Sequence, residues 1–320
     1  MDYVYLLIGL IGLYYGAEFL VKGSSNLALR LGISPLVVGL TVVAFATSMP
    51  EVFASVKAAL SGSSDLALGN VVGSNLCNIG LILGLAALLR PVTVQAQLLR
   101  FEMPILIISS GIIAIFLING ILGRGEAIAL AIGILFYVIY NVYRAKQRKA
   151  ETPPEPLAEG ITTKNEIKGH VFIDLIFIVL GIIILVYGAK FLLEGAVNIA
   201  QTLGVTEALI GLTIVALGTS LPELATTIVA ARKKEGDLAI GNAIGSCIFN
   251  NMAVLGITGS IIPLEMGELK WMDIYAMLFM VLICFPLMKS GTKLQRREGA
   301  LFLFLYFGYM TFASWQQISA

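Results

Sequence analysis

The sequence predicts an all-α polytopic membrane protein, with ten transmembrane helices arranged as two five-helix repeats of inverted topology. Three observations predict it. Hydrophobic residues make up 58% of the 320-residue chain and charged residues 13%, with a mean hydropathy of +0.91, far from the balance of a soluble domain. The apolar residues fall into blocks about 20 long, the length that crosses a hydrocarbon core ~30 Å thick. Residues 16–84 also align with residues 188–256 without a gap, and 30 of the 69 positions are identical.

The expected spans are 3–21, 36–60, 66–89, 102–120, 126–143, 171–193, 208–231, 238–262, 271–288 and 299–317. The first has no basic residue before Lys22 and no small-residue cleavage site, so it is expected to remain as a span rather than act as a signal peptide. The second and third are parted by the small polar run Ser61–Ser64, the third and fourth by Arg90 to Arg100, and the fourth and fifth by Gly123–Arg124. The longest polar interruption is Arg144–Gly169, charged, proline-bearing and without an apolar face, which reads as a linker. Beyond it, the sixth span runs up to Glu194 and the seventh to Arg232–Lys234. The eighth stops before Pro263, the ninth lies between Lys270 and Lys289, and the tenth follows Arg296 and Arg297. The organisation expected is a first repeat at 1–143, a linker at 144–169 and a second repeat at 170–320, with core motifs at 39–84 and 211–256.

Positive charge tests the span count, because Lys and Arg are retained on the cytoplasmic side. With the amino terminus outside, 17 of the 21 Lys and Arg residues fall in cytoplasmic loops and three, Lys57, Arg124 and Lys270, fall outside; Lys190 lies within the sixth span. Both termini are therefore expected outside, with the linker cytoplasmic and the protein multi-pass in the cell (inner or plasma) membrane. Because five spans separate equivalent points, the two copies must enter the membrane in opposite directions, the plan of secondary transporters with a site at mid-membrane.

The repeated residues carry the chemistry. GLTVVAFATSMPE at Gly39 returns as GLTIVALGTSLPE at Gly211, which places Glu51 and Glu223 at equivalent positions within apolar segments. A carboxylate there is expensive and marks a functional site. Thr47 and Ser48 stand four and three residues before Glu51 and share its helical face, as Thr219 and Ser220 share that of Glu223. Pro50 and Pro222 have no amide hydrogen, so the carbonyls of Ala46 and Gly218 lose their partners and each helix is expected to kink. In the third and eighth spans Asn70, Ser74 and Asn78, and Asn242, Ser246 and Asn250, recur at four-residue steps. Gly69 and Gly73, like Gly241 and Gly245, would let these helices approach their neighbours closely.

All these ligands are hard oxygen, without histidine or thiolate, which favours Ca²⁺ or Na⁺ over zinc or copper. Two glutamates match the charge of one Ca²⁺. If Ca²⁺ and several Na⁺ need the same carboxylates they exclude one another, which is the physical basis of obligatory exchange.

At this point the chain resembles the alpha-repeats of the cation/Ca²⁺ antiporter superfamily, in its sodium/calcium exchanger branch and of prokaryotic type. The resemblance rests on GTSLPE at 218–223, ATSMPE at 46–51, GNVVGSNLCN at 69–78 and GNAIGSCIFN at 241–250, and it covers both repeats. It implies an antiporter exchanging Ca²⁺ for Na⁺, with Glu51 and Glu223 as acidic ligands of both. Thr47 and Thr219 would add hydroxyl and carbonyl oxygens, while Ser48, Ser220, Ser74 and Ser246 would complete flanking Na⁺ sites. Asn78 and Asn250 would sit at the central position, and Ala44 and Ala216 would offer backbone carbonyls. It also implies spans two, three, seven and eight as a rigid core past which spans one and six slide. Ala46 stands where the family usually has glycine. Asn250 stands where K⁺-dependent exchangers and some archaeal members are acidic, which argues against K⁺ cotransport. The transported ions and the bilayer are the expected partners; no cofactor, nucleic acid or obligatory protein partner is expected.

A H⁺/Ca²⁺ antiporter of the same fold is the alternative, but it would not need the four serines. An intramembrane enzyme with paired carboxylates lacks any partner motif such as HExxH, and a channel builds its pore from subunit rings. Outside the site, Glu18, Lys190 and Glu194 are expected at helix ends, where long side chains reach the interface. Asp65 and Asp237 are expected as helix N-caps, His170 as a solvated residue, and Cys77, Cys247 and Cys284 as buried packing residues.

Overall fold

A computed structural model gives the fold and describes residues 2–151, 170–203 and 216–319. Helices α1 (Asp2–Leu31), α2 (Pro35–Leu60), α3 (Ser64–Leu89), α4 (Leu98–Asn119) and α5 (Arg124–Glu151) precede the undescribed stretch 152–169. After it come α6 (Val171–Thr202), α7 (Leu221–Arg232), α8 (Gly236–Ile261), α9 (Trp271–Lys289) and α10 (Arg296–Ser319). A single helical turn at Ala216–Gly218 stands ahead of α7. Among the described residues, eight helices are long and apolar enough to cross a membrane: all of these except α7 and α10. The first half of the expected seventh span lies outside the described residues, and α10, though 24 residues long, carries two tyrosines, Trp315 and Gln316 that lower its hydropathy.

The outer faces are apolar. Phe136, Phe172 and Phe304 are about 70% exposed or more, and many leucines and isoleucines on α1, α5 and α6 are also exposed. A surface of this kind is stable only in lipid.

Three boundaries differ from expectation. α1 runs ten residues past 21 and α6 nine past 193, because the two helices are locked side by side along their length. A methyl group on Gly188 would stand 2.7 Å from the amide nitrogen of Leu13, and one on Gly23 2.7 Å from the carbonyl oxygen of Asp174. Asp2 meets Asn198 at one end, where the Asn198 amide donates to the carboxylate at 3.0 Å, and Arg30 pairs with Asp174 at the other. The helices are thus antiparallel. α5 also continues through the first eight residues of the expected linker, since Arg144 stacks 3.8 Å over the ring of Phe101 and holds that turn against α4.

These extensions correct the placement of Glu18, Lys190 and Glu194, which lie within helices rather than at their ends. Glu18 pairs with Lys233 beyond α7, and Lys190 and Glu194 pair with each other on an exposed face at 3.8 Å. Asp65 and Asp237 are likewise not N-caps: those positions belong to Ser63 and Glu235, and both aspartates sit in the first turn. Asp65 accepts from the amide of Leu66 at 2.9 Å, and Asp237 from Nε2 of Gln95 at 2.5 Å. His170 is exposed at the start of α6, and the three cysteines are buried.

α8 is the centre of the molecule, 94% of its most apolar stretch being buried against 28% for that of α6. Its glycines admit α2 to backbone contact: a methyl group on Gly241 would stand 2.8 Å from the carbonyl oxygen of Leu36, and one on Gly245 2.7 Å from Cβ of Ala44. The small-residue spacing therefore does what the sequence predicted for this copy. The residues equivalent to Leu36–Ala44 in the other copy, 208–216, lie almost all outside the described residues, so the expectation for Gly69 and Gly73 falls there too. Two short strand pairs tie the loops. β1 (Val92–Thr93) pairs antiparallel with β4 (Lys293–Leu294), and β2 (Ile121–Leu122) with β3 (Leu264–Glu265). Each pair joins loops that the charge count assigns to one side.

Candidate functional site

The site begins at two helix interruptions. In α2 regular structure stops at Ser48 (φ −83°, ψ 0°), and before α7 it stops at Ser220 (φ −87°, ψ 5°). Pro50 and Pro222 follow in the first turn of the next helical stretch, so regular structure is interrupted beside each proline, where the kink is expected. Glu51 and Glu223 then emerge in that first turn, and both are fully buried. The amino-terminal end of a helix favours negative charge, so each carboxylate sits where the backbone assists it.

Hydroxyls cross between the halves. Ser48 Oγ donates to Glu223 Oε1 at 3.3 Å, and Ser220 Oγ donates to Glu51 Oε1 at 3.4 Å while lying 3.3 Å from Ser74 Oγ. Thr47 Oγ1 donates to Asn242 Oδ1 at 3.0 Å and stands 3.4 Å from Ser246 Oγ; Thr219 Oγ1 donates to Asn70 Oδ1 at 3.2 Å. The Asn70 amide donates to the carbonyl of Glu51 at 3.3 Å and to Ser55 at 3.0 Å. Asn242 does the same to the carbonyl of Glu223 at 3.3 Å and to Thr227 at 2.9 Å. Apart from the Ser220–Ser74 and Thr47–Ser246 contacts, each of these bonds has a counterpart in the other half at the 172-residue offset.

The asparagines divide into two kinds. Asn70 and Asn242 have both ends of the amide engaged and brace the broken turns. Asn78, buried one turn beyond Ser74, has neither amide atom partnered among the described residues, and Asn250 leaves its Oδ1 free. Glu51 and Glu223 each leave Oε2 free in the same way. A buried acceptor without a partner costs about 1–3 kcal/mol. Glu51, Glu223, Asn78 and Asn250 thus each carry a buried hard oxygen without a partner among the described residues.

Ala44 lies in the last turn before the break, and its carbonyl accepts from the Ser48 amide at 3.0 Å and faces Thr47 Oγ1 at 3.4 Å. Ala216 opens the helical turn ahead of Ser220. Thr41 donates to the carbonyl of Val37 one turn back in its own helix at 2.7 Å, and its repeat counterpart Thr213 lies outside the described residues.

Sequence reasoning missed Asn75 and Asn251. Both are fully buried and extend the site sideways: the Asn250 amide donates to Asn75 Oδ1 at 3.3 Å, and Asn75 Nδ2 to Asn251 Oδ1 at 2.6 Å. Asn251 Nδ2 in turn donates to Ser109 at 3.0 Å and Ser110 at 2.9 Å in α4. Their repeat counterparts are Cys247 and Ile79, so comparing the halves gave no signal. The spacing of Asn75, three residues before Asn78, did.

The profile of the family described as sodium/calcium exchanger protein matches residues 1–146 and 173–315. The inner membrane protein YrbG of Escherichia coli is 38% identical over 88% of this chain and 87% of its own. The sodium/calcium exchanger MaX1 of Methanosarcina acetivorans is 31% identical over 97% of each. Among solved structures, the sodium-calcium exchanger NCX_Mj soaked with 10 mM Na⁺ and zero Ca²⁺ superposes with a TM-score of 0.83 at 31% identity, covering 97% of this chain and 98% of that one.

Proposed function

Because the chain belongs to the sodium/calcium exchanger family, a family of transporters rather than enzymes, we propose that it exchanges Ca²⁺ for Na⁺ by alternating access at a mid-membrane site built on Glu51 and Glu223. The observation that carries this reading is the crossed pair of serines, each reaching from one half to the carboxylate of the other. Ca²⁺ takes six to eight oxygen ligands. The two carboxylates with Thr47, Thr219, Ser48, Ser220, Ser74, Ser246, Asn78, Asn250 and the backbone at Ala44 and Ala216 supply that many. Shared carboxylates let the site hold Ca²⁺ or Na⁺ but not both, and no cofactor takes part.

The architecture that goes with this function is ten spans in two inverted repeats, 1–143 and 170–320. The antiparallel packing of α1 on α6 supports it, since these are the equivalent first helices of the two copies. In this reading the glycine-locked pair slides past the core of α2, α3, α7 and α8 and exposes the site to each side in turn. Both termini lie outside and residues 144–169 are cytoplasmic; the two strand pairs agree with this, joining loops of one assigned side.

The test uses sealed vesicles loaded with Na⁺ and diluted into Na⁺-free medium. Ca²⁺ uptake is expected in the wild type and is expected to vanish in Glu51→Gln and in Glu223→Gln. Uptake driven equally well by a pH gradient without Na⁺ would transfer the function to H⁺/Ca²⁺ exchange. Uptake that survives both substitutions would remove the carboxylates from the site.

A further inference from the structure

Three arginines meet where helices end. Arg90 follows the last turn of α3, Arg232 is the last residue of α7 and Arg296 is the first of α10. Together with Leu89, Pro91 and Ala231 they line an open cavity of about 630 Å³. Among the described residues no acidic side chain lines it, and the ion pairs found there, Arg30–Asp174, Lys190–Glu194 and Lys233–Glu18, involve none of the three. Glu298, the nearest carboxylate in sequence to Arg296, is already engaged, its Oε2 accepting from the Gln295 amide at 2.8 Å.

Three guanidinium groups around one cavity repel each other unless an anion lies between them. Their planar forks match the oxygens of a phosphate, each able to donate two parallel bonds. The position adds a second constraint. All three arginines stand at helix ends, the depth at which lipid headgroups lie, and the wall continues into the exposed apolar side chains Leu88 and Leu89. The volume is several times that of a phosphate and leaves room for the glycerol portion of a headgroup.

We propose that this cavity is a phosphate-binding site, filled by the headgroup phosphate of an anionic phospholipid or by free phosphate. Occupancy fastens the ends of α3 and α7, which carry Ser74, Asn78 and Glu223, to α10. An anion there stabilises the frame around the ion site without touching it.

The test is thermal unfolding of the purified full chain in a neutral detergent, titrated separately with phosphatidylglycerol, phosphatidylcholine and inorganic phosphate. The wild type is expected to be stabilised by phosphatidylglycerol and not by phosphatidylcholine. The half-saturating lipid concentration should rise about tenfold for each of Arg90→Gln, Arg232→Gln and Arg296→Gln, and the response should be lost in the triple variant. Arg100→Gln, exposed but outside the cavity, should respond like the wild type. A response to inorganic phosphate alone, again lost in the triple variant, would keep the site and name the free anion as its ligand. The proposal is overturned if the wild type responds to neither phosphatidylglycerol nor phosphate, or if the triple variant responds as the wild type does. The single variants, each removing one exposed side chain, give the same reading should the triple variant fail to fold.

Discussion

The hydroxyl of Ser48 donates to Oε1 of Glu223, 175 residues away, at 3.3 Å. With Ser220 returning the contact to Glu51 at 3.4 Å, neither half of the chain completes its own carboxylate. Loss of one half's serine must therefore be felt at the other half's glutamate.

This crossing gives a prediction that separates serine from glutamate. Ser48→Ala and Ser220→Ala are each expected to raise the Na⁺ concentration for half-maximal Ca²⁺ release from vesicles about tenfold, since a hydrogen bond to a charged group contributes about 1.5–3 kcal/mol. The double variant should be less than additive, because the two hydroxyls serve one coupled pair of carboxylates. Unchanged Na⁺ dependence in both single variants would exclude the hydroxyls from the site.

Asn75 is expected to act as a positioning residue. It holds Asn250 on one side and Asn251 on the other, so Asn75→Ala leaves the Asn250 Nδ2 donor and the Asn251 Oδ1 acceptor without this partner, at about 1–3 kcal/mol each. The expected result is a lower melting temperature together with a several-fold higher half-saturating Ca²⁺ concentration. Ser109→Ala is the control: Asn251 keeps Ser110 at 2.9 Å, and Ca²⁺ dependence should stay at the wild-type value. If Asn75→Ala lowers stability alone, the residue belongs to packing rather than to the site.

What the sequence made legible follows from expense. Glu51 and Glu223 stood out because a carboxylate in an apolar helix must be compensated, and their duplication marked Thr47, Ser48, Ser74 and Asn78 with them. Asn75 and Asn251 stayed hidden since duplication was the filter and neither has a polar counterpart. The ends of α1 and α6 were misplaced for another reason. The stretch Gly23–Leu31 is polar and glycine-bearing, so hydropathy stops near Lys22, yet Gly23 packs on the Asp174 backbone and Arg30 reaches Asp174 itself. That partner lies 144 residues away, beyond the reach of any window. Asn70 and Asn242 were legible as part of the polar stripe but not as braces, because their bonds to Thr219 and Thr47 depend on which helices meet.

The glycine contacts between α1 and α6 set up a stability prediction. Gly188→Ala places a methyl group 2.7 Å from the Leu13 amide nitrogen and 3.1 Å from the Gly9 carbonyl oxygen. Neither is a flexible side chain, so the helices must part, at about 1–3 kcal/mol. Gly111→Ala and Gly308→Ala meet nothing within 4 Å and remove a weak helix former, so they should be neutral or stabilising by up to ~1 kcal/mol. Melting temperatures in one detergent decide it, and equal values for all three variants would show that α1 and α6 are not locked by their glycines.

The last prediction concerns pH and lies outside the spans. Glu235, between α7 and α8, is half-buried, and its carboxyl is raised above the ordinary 4.5, first by burial and then by the nearby Asp237 charge; the Ser25 hydroxyl and Lys233 oppose the shift. A carboxyl whose folded value is raised binds its proton more readily in the folded state than in the unfolded one. Its contribution to stability is therefore full below 4.5 and is lost as pH rises through the folded value. Glu235→Gln keeps the shape and removes the charge, so it should stabilise the protein at pH 7 and leave it unchanged near pH 4, flattening that part of the melting-temperature profile. A variant that is less stable than the wild type at pH 7 would mean that attraction to Lys233 outweighs burial at this loop.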